Sequence, residues 1–180
     1  MKVTYFSKEY PPHVYGGAGV HIKNLAREVA RRAKVEVRCF GEQDVEDPQL
    51  RVKGYGAWPR MWEGADKRFN STLGTFSTDL SMVRDQIDSD IVHGHTWYAS
   101  MAGYFAKMLY DIPLVATFYG FDVNQLPLQY HRWRRRYEAL FADAALVLSE
   151  GPHMARCIAT LGCPEAKLRV QRLGVYVAGI

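Results

Sequence analysis

The chain of 180 residues is poor in cysteine, and the three that it has, Cys39, Cys157 and Cys163, lie far apart. No C-x-x-C pair occurs, so neither a disulfide framework nor a zinc site is expected, and reduced thiols predict a cytoplasmic protein. No apolar run approaches the roughly 18 residues of a membrane span, and the N-terminus lacks the pattern of a signal peptide. The excess of basic over acidic residues is also small. The 23 basic and 19 acidic residues leave a net charge of +4, which is too small to predict a nucleic-acid partner.

Two common phosphate-binding motifs are missing as well. The Pro- and Gly-rich segment 9–21 does not match G-x-G-x-x-G, and it lacks the Lys-Ser/Thr of a P-loop. It nevertheless separates a predicted buried strand, 1–7, from a predicted amphipathic helix, 19–33. Gly16 and Gly17 leave backbone N–H groups uncovered at the positive end of that helix, where an anion is favoured. A plain glycine turn that packs the helix onto its strand explains the same residues equally well.

Strand and helix patterns alternate along the rest of the chain. Strands are predicted at 35–40, 90–97, 112–118, 144–149 and 167–173, with a short edge strand within 50–58 and a surface loop at 42–48. Helices are predicted at 71–87, 98–110, 128–142 and 152–161. This alternation predicts an α/β fold with a doubly wound parallel sheet, as one domain over residues 1–180.

Three segments with polar or glycine residues fall at the predicted carboxyl ends of strands, namely 10–19, 93–97 and 117–122. Ligands bind at that edge of a doubly wound sheet, so the three segments predict one shared site. His93 and His95 share a strand face, but a metal would need a third ligand that the sequence does not supply, and no metal is expected. Two interpretations stay open for these histidines: a contact to an acceptor hydroxyl, or a hydrogen-bonded place in the core.

Aromatic and basic residues outside these segments also have two interpretations. Trp58 and Trp62 suit a platform that stacks on sugar rings, or they cap the core. They are also candidates for an apolar contact in a homodimer. The basic run 131–136 suits either a solvated helix face or, less well, an anionic membrane surface.

The sequence resembles the N-terminal domain of a retaining GT-B glycosyltransferase of glycosyltransferase family 4, in the bacterial glycogen-synthase-like group. The resemblance depends on E-Y-P-P-H-V-Y-G-G-A-G-V-H at 9–21, on D-I-V-H-G-H-T-W at 90–97 and on T-F-Y-G at 117–120. Ser149-Glu150 and R-L-G-V at 172–175 are similar to later landmarks of that group. The resemblance implies a Rossmann-like, acceptor-side domain that forms the N-terminal half of a GT-B fold.

By the same resemblance the reaction is hexosyl transfer with retention, from a nucleotide-sugar to a glycan acceptor. Gly16 and Gly17 would donate backbone N–H groups to the donor phosphates. The acceptor side would be lined by five residues: His95, Thr96, Trp97, Gly120 and Asp122. No cofactor and no protein-bound metal are implied. A C-terminal donor-binding domain is expected to be absent from this chain and to be required in cis or in trans.

One residue departs from the family pattern. Tyr119 stands where the family usually has a histidine that contacts the transferred sugar, so Tyr119 is the candidate catalytic residue and also the weakest match. Tyrosine can donate a hydrogen bond, but it is bulkier than histidine and stays neutral at pH 7. We therefore expect an acceptor-binding domain that is inactive alone. The alternative is a non-catalytic, truncated, split or engineered binding module.

Overall fold

The computed structural model describes residues 1–64, 66–120, 123 and 131–174, with the backbone alone at 131–134. The strands in these ranges are β1 (Lys2–Ser7), β2 (Lys34–Phe40), β3 (Asp44–Glu46), β4 (Leu50–Tyr55), β5 (Ile91–His95), β6 (Leu114–Phe118), β7 (Leu146–Ser149) and β8 (Leu168–Val170). The α-helices are α1 (Gly17–Ala30), α2 (Asn70–Arg84), α3 (Thr96–Tyr110), α4 (His131–Asp143) and α5 (Pro152–Thr160). Short 3-10 helices precede α2 and β8.

The eight strands form one sheet in the order β3-β4-β2-β1-β5-β6-β7-β8. Every neighbouring pair is parallel except β3 with β4. The winding direction changes between β1 and β5, because the chain extends the sheet through β2 and β4 on one side and through β6 to β8 on the other. The predicted α/β fold with a doubly wound, mostly parallel sheet is confirmed, and its switch point lies between β1 and β5.

Two apolar clusters pack against the two faces of the sheet. Val3 and Tyr5 of β1 meet Ile22 and Ala26 of α1 on one face. Phe6 belongs to the larger cluster on the other face, with buried residues of α2, α3 and α4. Because successive strand residues point to opposite faces, β1 serves both cores, as a central strand of a doubly wound sheet must. This places α1 over one side of the switch point and α3 over the other.

The prediction of a loop at 42–48 was wrong in part, because Asp44–Glu46 forms the antiparallel edge strand β3. All three of its residues are exposed, so no hydrophobic alternation marked it. Because β3 pairs with its outer side, β4 is not the edge of the sheet. The strand β4 ends at Tyr55, within the predicted range 50–58. Edge strands with charged side chains discourage pairing with other chains.

Helix α2 was predicted from apolar spacing, but most of the residues on its buried face are serine or threonine. Thr75, Ser77, Thr78 and Ser81 are buried, and each hydroxyl bonds to a carbonyl oxygen three or four residues earlier. These local bonds give each hydroxyl an acceptor within the helix, and Ser77 Oγ also accepts the Trp58 N–H at 3.3 Å. The helix ends at Arg84, three residues before the predicted end.

The predicted helix at 128–142 is present from His131 onward, and Tyr137, Leu140 and Phe141 are buried as expected. The positions 128–130 lie outside the described residues, as does Asp122. Trp58 and Trp62 are 39% and 43% exposed and belong to neither apolar cluster, so they do not cap the core. Among the residues that the structure describes, no helix is long and apolar enough to cross a membrane.

Candidate functional site

The carboxyl ends of β1, β5 and β6 lie side by side, which brings the three predicted segments together. Phe6 pairs with Gly94, and His95 pairs with Thr117, so the turns that follow these strands leave the sheet at one edge. The turn after β1 leads into α1, and β5 runs directly into α3. The strand register alone therefore assembles the loop 8–16, Thr96 and Tyr119 around the switch point.

The glycine loop is held by an internal carboxylate that sequence reasoning gave no role. Glu9 is buried, and its Oε2 accepts the N–H of Gly16 at 2.8 Å and of Tyr15 at 3.2 Å. A carboxylate in this position is favoured by the positive end of α1. The Gly16 N–H, which was predicted to face a donor phosphate, is thus engaged by Glu9 in this structure. An acidic residue a few positions before a glycine-rich helix start was the available signal.

Gly17 differs from its neighbours because it begins α1 and faces open space. A Cβ built there meets no atom within 4 Å, and its N–H, as that of a first helical residue, has no intrahelical acceptor. At Gly19, by contrast, a Cβ would lie 2.9 Å from Glu9 Cβ and from Val14 Cγ2. Gly19 therefore permits the close packing of the loop, whereas the backbone at Gly17 is open on its Cβ side.

His93 and His95 form a stacked pair on the α1 face of the sheet, with ring centroids 4.0 Å apart. His93 Nε2 lies 2.7 Å from Thr117 Oγ1, and Tyr5 packs edge-on against both rings. Burial lowers the pKa of His93 to about 3, and burial followed by the charges of His93 and His21 lowers the pKa of His95 well below its usual value. Both rings are therefore neutral at pH 7 and serve as hydrogen-bonding groups instead of cations.

Tyr119 is tied to this pair. Its hydroxyl lies 2.9 Å from His95 Nδ1, and the two rings are nearly parallel at 16°. Across the loop its ring meets that of His21 on α1 edge-on, with centroids 6.0 Å apart. The expectation that the glycine-loop helix and Tyr119 approach each other agrees with this geometry. The Tyr119 hydroxyl, however, lies against the buried ring of His95, whereas it was expected to face the substrates.

Thr96 carries the clearest backbone strain at the site. It has φ of 62°, a left-handed conformation that is unfavourable for a β-branched residue, and strain of this kind concentrates at functional sites. Within the described part of the chain its buried Oγ1 has no hydrogen-bond partner, and neither has Nε2 of His95. Buried polar atoms are normally paired, so these two atoms mark a place where the fold is not optimised for stability alone.

The other predicted acceptor residues occupy separate surroundings. Trp97 is half-buried and contacts Tyr98, with ring centroids 4.0 Å apart. It lines a small cavity with Met101 and Tyr137, on the α4 side of α3. Gly120 begins the turn after Tyr119, and a Cβ there would lie 3.8 Å from Glu150 Oε1. The structure thus brings His95, Thr96 and Tyr119 together, whereas the side chain of Trp97, the next residue after Thr96, lies on the α4 side of α3.

Lys8, the residue directly after β1, was also missed by sequence reasoning. Its ammonium nitrogen lies 3.7 Å from the ring centroid of Tyr98 and 5.4 Å from that of Tyr15. The side chain is half-buried at the carboxyl edge of the sheet. A lysine enclosed by aromatic rings next to a cleft has no sequence signature, because Tyr98 is 90 residues away.

A polar groove of about 340 Å³ lies on the opposite face of the sheet from α1, lined by β2, β4 and the segment after α2. Its central residue is Arg38, which is 2% exposed and bonds to Glu36 and to the carbonyl oxygens of Asp85 and Gln86 at 2.8 Å each. Arg38 thereby satisfies the carbonyl groups just after α2 and ends that helix. Among the described residues no group of three His, Cys, Asp or Glu side chains is arranged to hold a metal ion.

A doubly wound sheet with this cleft is the architecture of GT-B glycosyltransferases. The solved structure of Anabaena HepE in complex with UDP and glucose superposes with a TM-score of 0.68 at 18% identity, covering 97% of this chain and 45% of that one. The fold is the N-terminal half of a GT-B fold. The family model of Glycosyltransferase Family 4 matches residues 15–178, and the chain belongs to that family.

Two curated relatives support the same assignment. The α-maltose-1-phosphate synthase of Mycobacterium tuberculosis is 38% identical over 157 residues, which are 83% of this chain and 38% of that protein. A D-inositol 3-phosphate glycosyltransferase of Corynebacterium aurimucosum is 37% identical over 114 residues, or 57% of this chain and 26% of that protein. The chain thus spans about two fifths of the length of the first relative.

Proposed function

We propose that this chain is the acceptor-binding domain of a nucleotide-sugar-dependent hexosyltransferase and that it needs a donor-binding domain for turnover. The observation that carries the proposal is the meeting of Gly17, Thr96 and Tyr119 at the switch point of the sheet. Family membership supports the proposed reaction class, and the position at the carboxyl edge of the sheet supports the proposed place of binding. The domain binds its ligands weakly on its own, because the donor-binding domain supplies the other half of the cleft.

In this proposal the first turn of α1 faces the donor phosphates. The Gly17 N–H and the positive end of α1 stabilise the charge of a diphosphate, while Glu9 keeps the loop in a shape that leaves Gly17 outermost. Gly16 contributes through the loop conformation, because its N–H is already bonded to Glu9. The side chains of Thr96 and Tyr119 line the space between the donor sugar and the acceptor.

Two acceptor classes agree with the relatives and the sequence. One is a glucan chain, as the glycogen-synthase-like motifs indicate. The other is a phosphorylated sugar, of the kind named in the α-maltose-1-phosphate synthase and the D-inositol 3-phosphate glycosyltransferase. Both classes place neutral hydroxyl groups beside Thr96, and they differ in whether a phosphate accompanies them.

The first experiment joins the chain to a competent donor-binding domain and measures nucleotide release from a panel of sugar nucleotides, with and without acceptor. Gly17→Val should reduce nucleotide-sugar binding about tenfold or more by blocking approach to the backbone, while the fold is retained because the added atoms meet open space. Gly56→Val, a second glycine with no atom within 4 Å of its Cβ position, is the matched control, because Gly56 follows β4 and lies away from the switch point between β1 and β5. Equal affinity in the wild type and Gly17→Val would contradict the phosphate-binding role of the loop.

The second experiment concerns Tyr119 in the same fusion. Tyr119→His should increase sugar transfer about ten- to a hundredfold, since the phenol occupies volume that the transferred hexose needs and one misplaced hydrogen bond is worth roughly 1.4–2.7 kcal/mol in a transition state. If the unchanged fusion is the faster of the two, tyrosine is a working residue of the site.

A non-catalytic binding module is the second candidate, and two contacts favour it. The Gly16 N–H is bonded to Glu9, and the Tyr119 hydroxyl is bonded to His95, so two groups expected to face substrates make internal contacts. Such a module would bind sugar nucleotides or sugars without transfer in any fusion. Turnover by the fusion with either residue at position 119 would exclude this candidate.

A further inference from the structure

The Lys8 side chain is unusual among the cations of this fold. Its ammonium group lies over the ring of Tyr98 at 3.7 Å and near that of Tyr15 at 5.4 Å. In the part of the chain that the structure describes, no carboxylate lies within 4.0 Å of it, whereas cations such as Lys2, Arg38 and Lys53 have such partners. A half-buried ammonium without an ion pair is desolvated at a cost that the aromatic faces offset only in part.

The carboxylate nearest to Lys8 in the sequence, that of Glu9, bonds to backbone N–H groups and not to Lys8. Glu9 directs its Oε2 to the N–H groups of Tyr15 and Gly16, so its charge is shared with the start of α1. Burial lowers the pKa of Lys8, and the Glu9 charge partly opposes that effect. The site therefore contains a cation that is partly stripped of water and whose neighbouring anion does not contact it.

The position of Lys8 is as informative as its surroundings. It follows the last residue of β1, and Tyr98 lies in the first turn of α3, which follows β5, so the ammonium group lies beside the switch point between β1 and β5. Thr96, with its strained backbone and unpaired hydroxyl, is two residues before Tyr98. A charge at Lys8 and a hydroxyl-binding group at Thr96 together suit a ligand that carries both an anion and sugar hydroxyls.

We propose that Lys8 binds the phosphate group of a phosphorylated sugar acceptor, and that this chain therefore takes a sugar phosphate and not a neutral glucan. The inference rests on the proposed function and selects between its two acceptor classes. Lysine recognises phosphate as a point charge, and a desolvated ammonium does so more strongly than a hydrated one. Tyr98 and Tyr15 hold the ammonium group in place for the ligand.

The test is a set of titrations of the 180-residue chain with glucose 1-phosphate, glucose, inorganic phosphate and UDP-glucose, followed by backbone amide NMR. Lys8→Met removes the charge and keeps the aliphatic stem, and Lys8→Arg keeps the charge. Lys34→Met, an exposed lysine at the amino end of β2, is the control for net charge. Amide spectra of each variant verify the fold.

Glucose 1-phosphate should bind more tightly than glucose or inorganic phosphate, and Lys8→Met should weaken it about tenfold or more. Lys8→Arg should retain most of the affinity, Lys34→Met all of it, and glucose binding should not respond to Lys8. Equal affinity of wild type and Lys8→Met for glucose 1-phosphate would overturn the inference, as would equal binding of inorganic phosphate alone. If Lys8→Met weakens UDP-glucose but not glucose 1-phosphate, the lysine belongs to the donor phosphates and the inference is wrong.

These outcomes separate the inference from the proposed function. UDP-glucose binding that is sensitive to Gly17→Val, together with glucose 1-phosphate binding that is insensitive to Lys8, would refute the inference and leave the proposed function standing. Absence of binding by any of the sugar ligands would count against both.

Discussion

Two polar regions of this molecule use buried charged and polar side chains in opposite ways. In the groove between β2, β4 and the end of α2, Arg38 and Glu36 bond to each other, and Arg38 also bonds to backbone carbonyl groups. At the switch point, His95 Nε2 and Thr96 Oγ1 are buried without partners among the described residues, and Thr96 is strained. A region whose polar groups satisfy one another stabilises the fold, and one whose groups do not is available for a ligand.

The largest change in the free energy of unfolding should come from a substitution in the groove around Arg38. Arg38→Met should lower the free energy of unfolding by about 3–5 kcal/mol, because it leaves the buried Glu36 without its arginine and removes the donors that end α2. Arg51→Met, an exposed arginine of β4 in the same groove, is the control and should change it by less than about 0.5 kcal/mol. Urea unfolding measures both, and a loss under about 1 kcal/mol for Arg38→Met would contradict the structural role of the groove.

The histidine pair should make stability depend on pH. The folded-state pKa of His93 is about 3 and that of His95 is far below its usual value, while in the unfolded chain both lie near 6.5. Below about pH 6.5 the unfolded chain therefore binds more protons, and the free energy of unfolding falls as the pH decreases towards 3. For His93, linkage gives about 2 kcal/mol between pH 7 and pH 5, and His95 acts in the same direction.

The measurement is urea unfolding at pH 7, 6 and 5 for the wild type, His93→Gln and His153→Gln. The first variant should make the pH dependence shallower, with the contribution of His95 remaining, and the second, on the exposed side of α5, should leave it unchanged. A wild-type free energy of unfolding that is constant across this range would show that the pair is not held neutral.

The glycine loop offers a matched pair of substitutions with a smaller effect. Gly19→Ala should destabilise the fold by about 1–3 kcal/mol, since the new Cβ overlaps Glu9 and Val14. Gly17→Ala should be neutral or stabilising by up to about 1 kcal/mol, because alanine is the better helix former and meets open space. Thermal unfolding of the two variants compares them directly, and similar melting temperatures would show that the loop does not pack as described.

Much of the fold could be predicted from the sequence, as could the convergence of three segments at one edge of the sheet, but the contacts among those segments could not. Alternating strand and helix patterns predicted the sheet, and the Gly-rich turn and the 93–97 segment lie at the same edge, as expected. The strand β3 was missed because Asp44–Glu46 is exposed and has no apolar side to detect. The roles of Glu9 and Lys8 depend on Gly16 and Tyr98, and such pairings across the fold are absent from local patterns. The binding and catalytic roles stay predictions for all eight site residues: Gly16, Gly17, His95, Thr96, Trp97, Tyr119, Gly120 and Asp122.

A loss of stability smaller than that of Arg38→Met is expected at Tyr119. Tyr119→Phe removes the hydroxyl that bonds to His95 Nδ1, which leaves a buried ring nitrogen unpaired and should cost about 1–2 kcal/mol. Tyr104→Phe, on the half-buried side of α3, serves as the control for loss of a phenol hydroxyl. A Tyr119→Phe variant as stable as the wild type would mean that the site loses nothing when this contact is removed.

Ligands should bind at the switch point and not in the groove around Arg38, and NMR mapping of UDP-glucose binding to the chain locates the binding surface. The amide signals of Gly17, Thr96 and the loop that begins at Lys8 should shift in proportion to ligand saturation. The amides around Arg38 and Asp85 should stay in place. Shifts confined to the groove, with none at Gly17 or Thr96, would contradict the account.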